Sequence, residues 1–207
     1  MLESEAMLEE TEVAEDPLEF AIIGDLSDSE SDLSEKILSV PIGGECTIFF
    51  DSPGGSVYSA LSLMTLIATR EIRATGIVTG ECSSAAIWPF AACCYRKVTP
   101  FSVMLFHRMK WQSEEQVGLG EASEWARHFA QLEQEMDSLL TRFFGTASQQ
   151  VEQWIRESRY ITGRELVEAG LADLLELSPV SPNQEKMSDG SPDAQQESDK
   201  LKAAHVA

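Results

Sequence analysis

Three short runs of the chain carry residue types suited to nucleophilic attack on a carbonyl group. Gly80-Glu81-Cys82-Ser83-Ser84-Ala85-Ala86 sets serines between an apolar strand-like stretch and a helix-like one. A serine at such a junction has its hydroxyl near the positive end of a helix, and small neighbours let a substrate backbone approach. Asp51-Ser52-Pro53-Gly54-Gly55 also follows an apolar stretch and precedes a helical pattern. Its glycines permit a tight turn, and the helix start offers free N–H groups to an oxyanion. His107 closes the apolar run Val103–Phe106, at the strand edge where α/β folds bind ligands. Each run alone has a plainer reading: a strand-to-helix turn, a serine capping a helix, a satisfied surface histidine. His128, on a helical stretch, and His205, in the tail, suggest no partner.

The elements that must position these residues alternate. Short apolar strands are expected at Phe20–Gly24, Cys46–Asp51, Ala74–Thr79 and Val103–His107, and a last one at Leu171–Leu177. Cys46–Asp51 is nearly continuous in apolar residues, as in a strand buried on both faces of a parallel sheet. Between them lie helical patterns: one capped by Ser31 and running to about Val40, one over Ser56–Arg70, and one over Ser84–Cys94 despite Pro89. A long helix is expected over about Glu114–Phe144, ended by Gly145. Its apolar residues Ala122, Trp125, Phe129, Leu132, Met136, Leu139 and Phe143 step by three and four, a heptad seam that either covers a core or meets another helix. Ser148 starts a short helix, Tyr160–Ile161 is extended, and Thr162 with Glu165 forms a capping box for a helix closed by Gly170. Strand and helix repeated in this way imply an α/β fold with a largely parallel sheet.

Composition narrows the function classes. The chain has 207 residues, 43% of them apolar, enough for one sizeable core. A net charge of -20 argues against nucleic acid, because phosphate binding needs Lys and Arg. From Met1 to Glu35 there are thirteen Asp and Glu and no Lys or Arg. Residues 1–17 therefore read as a solvated acidic arm, and the Ser-, Pro- and Gln-rich stretch 178–207 as a disordered tail. The folded body is expected over 18–177. No basic, apolar leader opens the chain, and no run approaches the ~20 apolar residues of a membrane span. Cys46, Cys82, Cys93 and Cys94 show neither zinc spacing nor a disulfide framework, so they are expected reduced and buried, in a cytoplasmic protein.

In order and register, the runs DSPGG, GECSSAA, VMLFH and RYITGRELVEAGLAD resemble the proteolytic subunit of the Clp protease family. That family carries Asn-Ser-Pro-Gly-Gly, Gly-x-Ala-Ala-Ser-Met, Met-Ile-His and a segment ending Glu-Ala-x-x-x-Gly-Leu-x-Asp. The Gly55-to-Ser84 interval equals the family's, and the Ser84-to-His107 interval is two residues shorter. The resemblance spans about Phe20–Leu177. It implies a crotonase-like, ClpP-like α/β fold whose long helix is the family's handle, with homo-oligomeric assembly into paired seven-membered rings around a proteolytic chamber. It implies Ser84 as nucleophile, His107 as general base, and the N–H groups of Gly55 and Ala85 as oxyanion hole. It further implies a peptide or unfolded-protein substrate. No cofactor is expected in this subunit, ATP being used by a partner AAA+ unfoldase.

Two departures qualify what the resemblance implies. The family's catalytic Asp falls, by count back from Gly170-Leu171, on Ser158, which cannot hold an imidazolium by charge. Glu157 is the adjacent candidate acid, against a plainer reading as a solvent-facing helix end. The acidic arm also stands where the family has an axial loop that meets the unfoldase, which weighs against standard docking. Two other readings compete: a catalytically weak or inactive relative that serves as a structural or regulatory subunit, and an acyl-CoA enzyme of the crotonase type.

Overall fold

The computed structural model describes residues 17–112, 116–145 and 148–179. The acidic arm, apart from Pro17, and the tail beyond Pro179, with His205, lie outside them. The chain divides into two units after Glu176, and the fold below is that of the first.

Five strands form one continuous parallel ladder in the order β1 (Leu18–Asp25), β2 (Glu45–Gly54), β3 (Arg73–Cys82), β4 (Tyr95–Val98) and β7 (Asp173–Leu174). Two more strands branch from it. β5 (Val103–Leu105) joins β3 through the pair Glu81–Val103 and runs antiparallel to β6 (Tyr160–Thr162). The parallel α/β expectation holds, with this single antiparallel pair added. Along β2 the residues alternate: Cys46, Ile48, Phe50, Ser52 and Gly54 are buried, while Thr47 and Phe49 are half-buried. The expected burial on both faces is thus complete on one face only.

Helices α1 (Leu26–Ser39) and α2 (Val57–Thr69) follow β1 and β2 directly. The cap of α1 is Asp25, whose Oδ1 accepts from Ser27 N at 2.8 Å, so this helix is capped six residues before the expected Ser31. Its buried stripe is Leu26, Leu33 and Ile37. Ser56 caps α2 by accepting from Ser59 N. The expected helix over Ser84–Cys94 is shorter: a single 3-10 turn, Ser84–Ala86, runs into α3 (Ile87–Ala91). β4 follows it and was not expected.

The long helix α4 spans Leu119–Phe144 and ends at Gly145, whose positive φ of 80° a glycine adopts without strain. Its apolar seam divides. Of the expected seam only Met136 is buried in the subunit's own core, joined there by Leu140 and Phe144 from outside the seam, while the seam residues Leu132, Leu139 and Phe143 pack partly against it. Farther toward its N-terminus, Trp125 and Phe129 are half-buried beneath Trp111, with ring centroids 4.7 and 6.0 Å away. Met136→Glu is therefore expected to destabilise the chain by roughly 3 kcal/mol or more, since its charge would lie in a core with no partner. Phe129→Glu is expected to keep the fold, and a thermal melt of the two variants checks the contrast.

α5 (Ser148–Glu157), β6 and α6 (Gly163–Glu168) complete the body. The capping box is formed: Thr162 Oγ1 accepts from Glu165 N, and Glu165 accepts from Thr162 N. That backbone bond, chiefly, holds the Glu165 carboxyl below its ordinary range. The expected last strand shrinks to the two residues of β7. Arg96 ties these parts together. Its guanidinium donates to the carbonyls of Leu171, Ala91 and Cys93 and lies over the Phe144 ring at 5.4 Å. Cys46, Cys82 and Cys93 are buried and their thiols pushed up, Cys46 to about 11, by loss of water. Cys94 is exposed, against expectation, because it lies in the turn before β4. No helix of the described residues is long and apolar enough to cross a membrane.

Candidate active site

The site forms where β2, β3 and β5 end. The β2–β3 register shifts between the pairs Phe50–Val78 and Ser52–Cys82, and Ser83 N donates to Ser52 O at 3.0 Å. That contact brings the Ser52–Gly55 turn alongside the serines. Ser52 is buried. Its Oγ donates to Gly24 O at 2.6 Å and accepts from Gly54 N at 3.1 Å, which ties the ends of β1 and β2.

The two serines have separate roles. Ser83 is buried, and its Oγ accepts from Leu105 N at 2.9 Å, fastening β5 to the turn. Ser84 is half-buried with φ of 53°, a left-handed conformation that L side chains rarely adopt. Its Oγ donates to His107 Nε2 at 2.8 Å. The direction follows from the other ring nitrogen, which lies 2.6 Å from Arg108 O. A carbonyl only accepts, so Nδ1 carries the proton and Nε2 is free to take one.

Phe106 holds the histidine in place. It is buried against Phe144 of α4 and Trp154 of α5, with centroids 6.5 and 5.3 Å away, and its N–H donates to Arg159 O at 3.0 Å. His107 lies two residues beyond β5, not within a strand. Trp88, one turn past Ser84, donates from Nε1 to Met136 O at 3.2 Å, so α3 and α4 are fixed to each other. Ile87, Trp88, Phe106, Leu140 and Ile155 line a small apolar recess beside Ser84 and His107.

Gly54 and Gly55 have φ of 107° and 135°. A Cβ at Gly54 would lie 2.7 Å from Ser84 Cβ and 2.9 Å from Ala85 N, closer than atoms pack. The glycine turn therefore rests directly on the Ser84–Ala85 peptide. Ala85 is the second residue of its turn, where the N–H has no preceding carbonyl of the turn to bond. Gly54 and Ala85 are thus brought together at Ser84, while a Cβ at Gly55 would meet Asp25 and Leu26 N at the start of α1.

The candidate acid Glu157 is not brought to the histidine. Glu157 is exposed at the end of α5, and its Oε1 accepts from Gln153 Nε2 at 2.8 Å, one turn back on the same helix. Ser158 follows with φ of 51°. The β5–β6 ladder pairs Leu105 with Tyr160, and the Phe106–Arg159 bond extends it. Counted one step further, His107 would face Ser158, the position that counting from the closing motif indicates, but Ser158 N donates to Ile155 O and belongs to the end of α5. His128, by contrast, bonds Tyr58 Oη at 2.9 Å, joining α2 to α4. Among the described residues, no group of three His, Cys, Asp or Glu is placed to hold a metal ion.

Strand-end turns that present a serine to a histidine, on a parallel α/β body with a long lateral helix, define a Clp-type peptidase fold. Residues 42–176 match the family model for Clp protease, well over half of the chain. The chain belongs to the Clp protease family, and the crotonase-like α/β fold expected of it is the one observed. A comparison with curated proteins returned no match.

Ser52, Gly54 and Ser83 were read only as members of their motifs, without the bonds they make here, and the Arg108 carbonyl was not read at all. Ser52, Gly54 and Ser83 lie inside the motifs, where types and spacing carry a signal. A main-chain carbonyl leaves none.

Proposed function

We propose that the chain is a serine-type endopeptidase subunit that cleaves peptide bonds by acyl transfer. The 2.8 Å contact between Ser84 Oγ and His107 Nε2 carries this reading. Ser84 loses its proton to Nε2 as Oγ attacks the scissile carbonyl carbon. The tetrahedral oxyanion takes the Gly55 and Ala85 N–H groups. As the C–N bond breaks, the leaving amine accepts the proton from Nε2. Water then deprotonates to Nε2, attacks the acyl carbon and releases the acid with Ser84 restored. The substrate is a peptide or unfolded segment.

The reading includes assembly into homo-oligomeric rings, heptameric and stacked in pairs, with α4 as the handle. This part rests on the family, whose members generally form rings. The subunit itself needs no cofactor, and an AAA+ unfoldase that hydrolyses ATP would deliver substrate. A cytoplasmic setting is part of the reading, supported by the free cysteines. The domain limits of the reading are an acidic arm over 1–17, a peptidase body over 18–177 and a polar tail over 178–207. Ser158 in place of an acid favours one second reading, a slow or inactive subunit that serves assembly.

A fluorophosphonate reacted with the full chain, followed by peptide mapping, tests the proposal. Adduct at Ser84 is expected, and clean absence favours the second reading. Gly54→Ala supplies a further check. The new methyl must displace Ser84 or Ala85, so turnover of a fluorogenic peptide is expected to fall about a hundredfold, as misplacement by an ångström does elsewhere. Wild-type turnover in that variant would show that the glycine turn does not set the nucleophile.

A further inference from the structure

His107 Nδ1 meets a main-chain carbonyl where a serine peptidase of this kind would have a carboxylate. The Arg108 carbonyl belongs to the Arg108–Met109 peptide, whose N–H is Met109's. Met109 N donates to Glu133 Oε1 at 2.9 Å. The other carboxylate oxygen, Oε2, accepts from Arg108 Nη1 at 2.7 Å. One peptide unit thus accepts from the imidazole at its oxygen and donates to a carboxylate at its nitrogen. The two groups of a trans peptide point in opposite directions, so a negative charge at the N–H end strengthens the negative end at the oxygen.

Resting on the peptidase reading, we propose that Glu133 is a positioning residue for His107. It acts through the Arg108–Met109 peptide, fixing the tautomer with Nδ1 protonated and favouring the imidazolium that forms during attack. The carboxylate touches neither the histidine nor the substrate. It stands on α4, whose Met136 and Leu140 are locked in the core one and two turns further on. The loop is held independently by Trp111 on Trp125 and Phe129, so its course does not depend on Glu133 alone. The Glu133 side chain is 20% exposed, which keeps its charge from full screening by water.

Other charged groups share this groove. Arg108 comes from the loop, Asp137 from α4, and Glu152 and Arg156 from α5. Burial first, then the Glu133 charge, raises the Asp137 carboxyl to about 6. Glu133 differs from the other acids in bonding the peptide itself.

The test compares Glu133→Gln with Asp137→Asn in the full chain, wild type alongside. Glutamine keeps the length and an acceptor for Met109 N–H but removes the charge. Asp137→Asn removes a nearby charge that bonds no part of the peptide. Two readouts are taken: kcat and KM on a fluorogenic peptide, and the ring signals of His107 in [15N]histidine-labelled protein, with His128 as internal control. Glu133→Gln is expected to lower kcat about tenfold with KM unchanged, the difference between a charged and a neutral acceptor. Its His107 Nδ1 proton should move upfield. Asp137→Asn should alter neither. If Glu133→Gln leaves kcat and the Nδ1 signal at wild type, or Asp137→Asn reproduces the loss, the proposal is overturned. Should the wild type itself neither cleave peptide nor take fluorophosphonate, the peptidase reading fails. The His107 signal then still decides whether Glu133 sets the tautomer.

Discussion

Ser84→Ala is expected to lower peptide hydrolysis by about 10⁶-fold, with the fold unchanged. The hydroxyl is the attacking group, and its one strong contact is with His107. Removing it leaves no buried donor or acceptor stranded, because Nε2 of a half-buried imidazole can bond water. His107→Ala should lose nearly as much, and the double variant should be about as slow as either single one. Two residues that act as one unit give losses that do not multiply. Ser83→Ala is the control for register. Its hydroxyl holds Leu105 N of β5, so its loss should show first as a lower melting temperature. Rates on a fluorogenic peptide and thermal melts of the four variants decide the matter. Multiplied losses in the double variant would count against a Ser84–His107 couple, and a silent Ser84→Ala beside a dead Ser83→Ala would move the nucleophile by one residue.

The paired serine and histidine were legible because the features that place them are local. Two glycines after a strand, small residues before a helix and a histidine after a strand each leave a mark at fixed spacing. Less local features were harder to read. The start of α1 was hidden because Leu26, Leu33 and Ile37 are spread through a stretch of serines and acids, and Ser31 was read as the cap where Asp25 holds that place. β4 was missed because Tyr95–Val98 is short and carries Arg96 and Lys97. Arg96 is half-buried for a reason no pattern states: it gathers three carbonyls from α3, its following turn and the segment before β7. The seam on α4 was visible as a period of three and four. A period cannot say which subunit supplies the opposing surface, and Met136 proved to face its own core.

The same limit applies to the third member of the site. A carboxylate was sought because side chains are what a sequence displays, whereas the group found at His107 Nδ1 is the carbonyl of its neighbour. Such a carbonyl fixes the tautomer as an Asp would. Its partial charge balances an imidazolium less well than a full negative charge does. On these grounds the site would be ordered for attack yet weaker than one with an acid.

Ser158→Asp is expected to raise turnover roughly a hundredfold, part of the about 10⁴ that loss of the acid costs other serine proteases. Counted on from the last bond between these strands, Phe106 N to Arg159 O, residue 158 is the next position toward His107. Its backbone, at φ of 51°, is in the left-handed region that Asp tolerates better than most residues. The new carboxylate would compete with the Arg108 carbonyl for the Nδ1 proton and would stabilise the imidazolium by charge. Glu157→Gln should change turnover by less than about twofold, as an exposed substitution whose carboxylate faces Gln153. Both variants are read as kcat on the same peptide, after sedimentation shows the same particle as wild type. A large loss in Glu157→Gln without gain in Ser158→Asp would place the acid at 157, and the end of α5 would then have to unwind to deliver it. No gain in Ser158→Asp with Glu157→Gln silent would mean that the Arg108 carbonyl holds the ring too firmly for a rival. In that case the site works as a serine–histidine pair steadied by main chain.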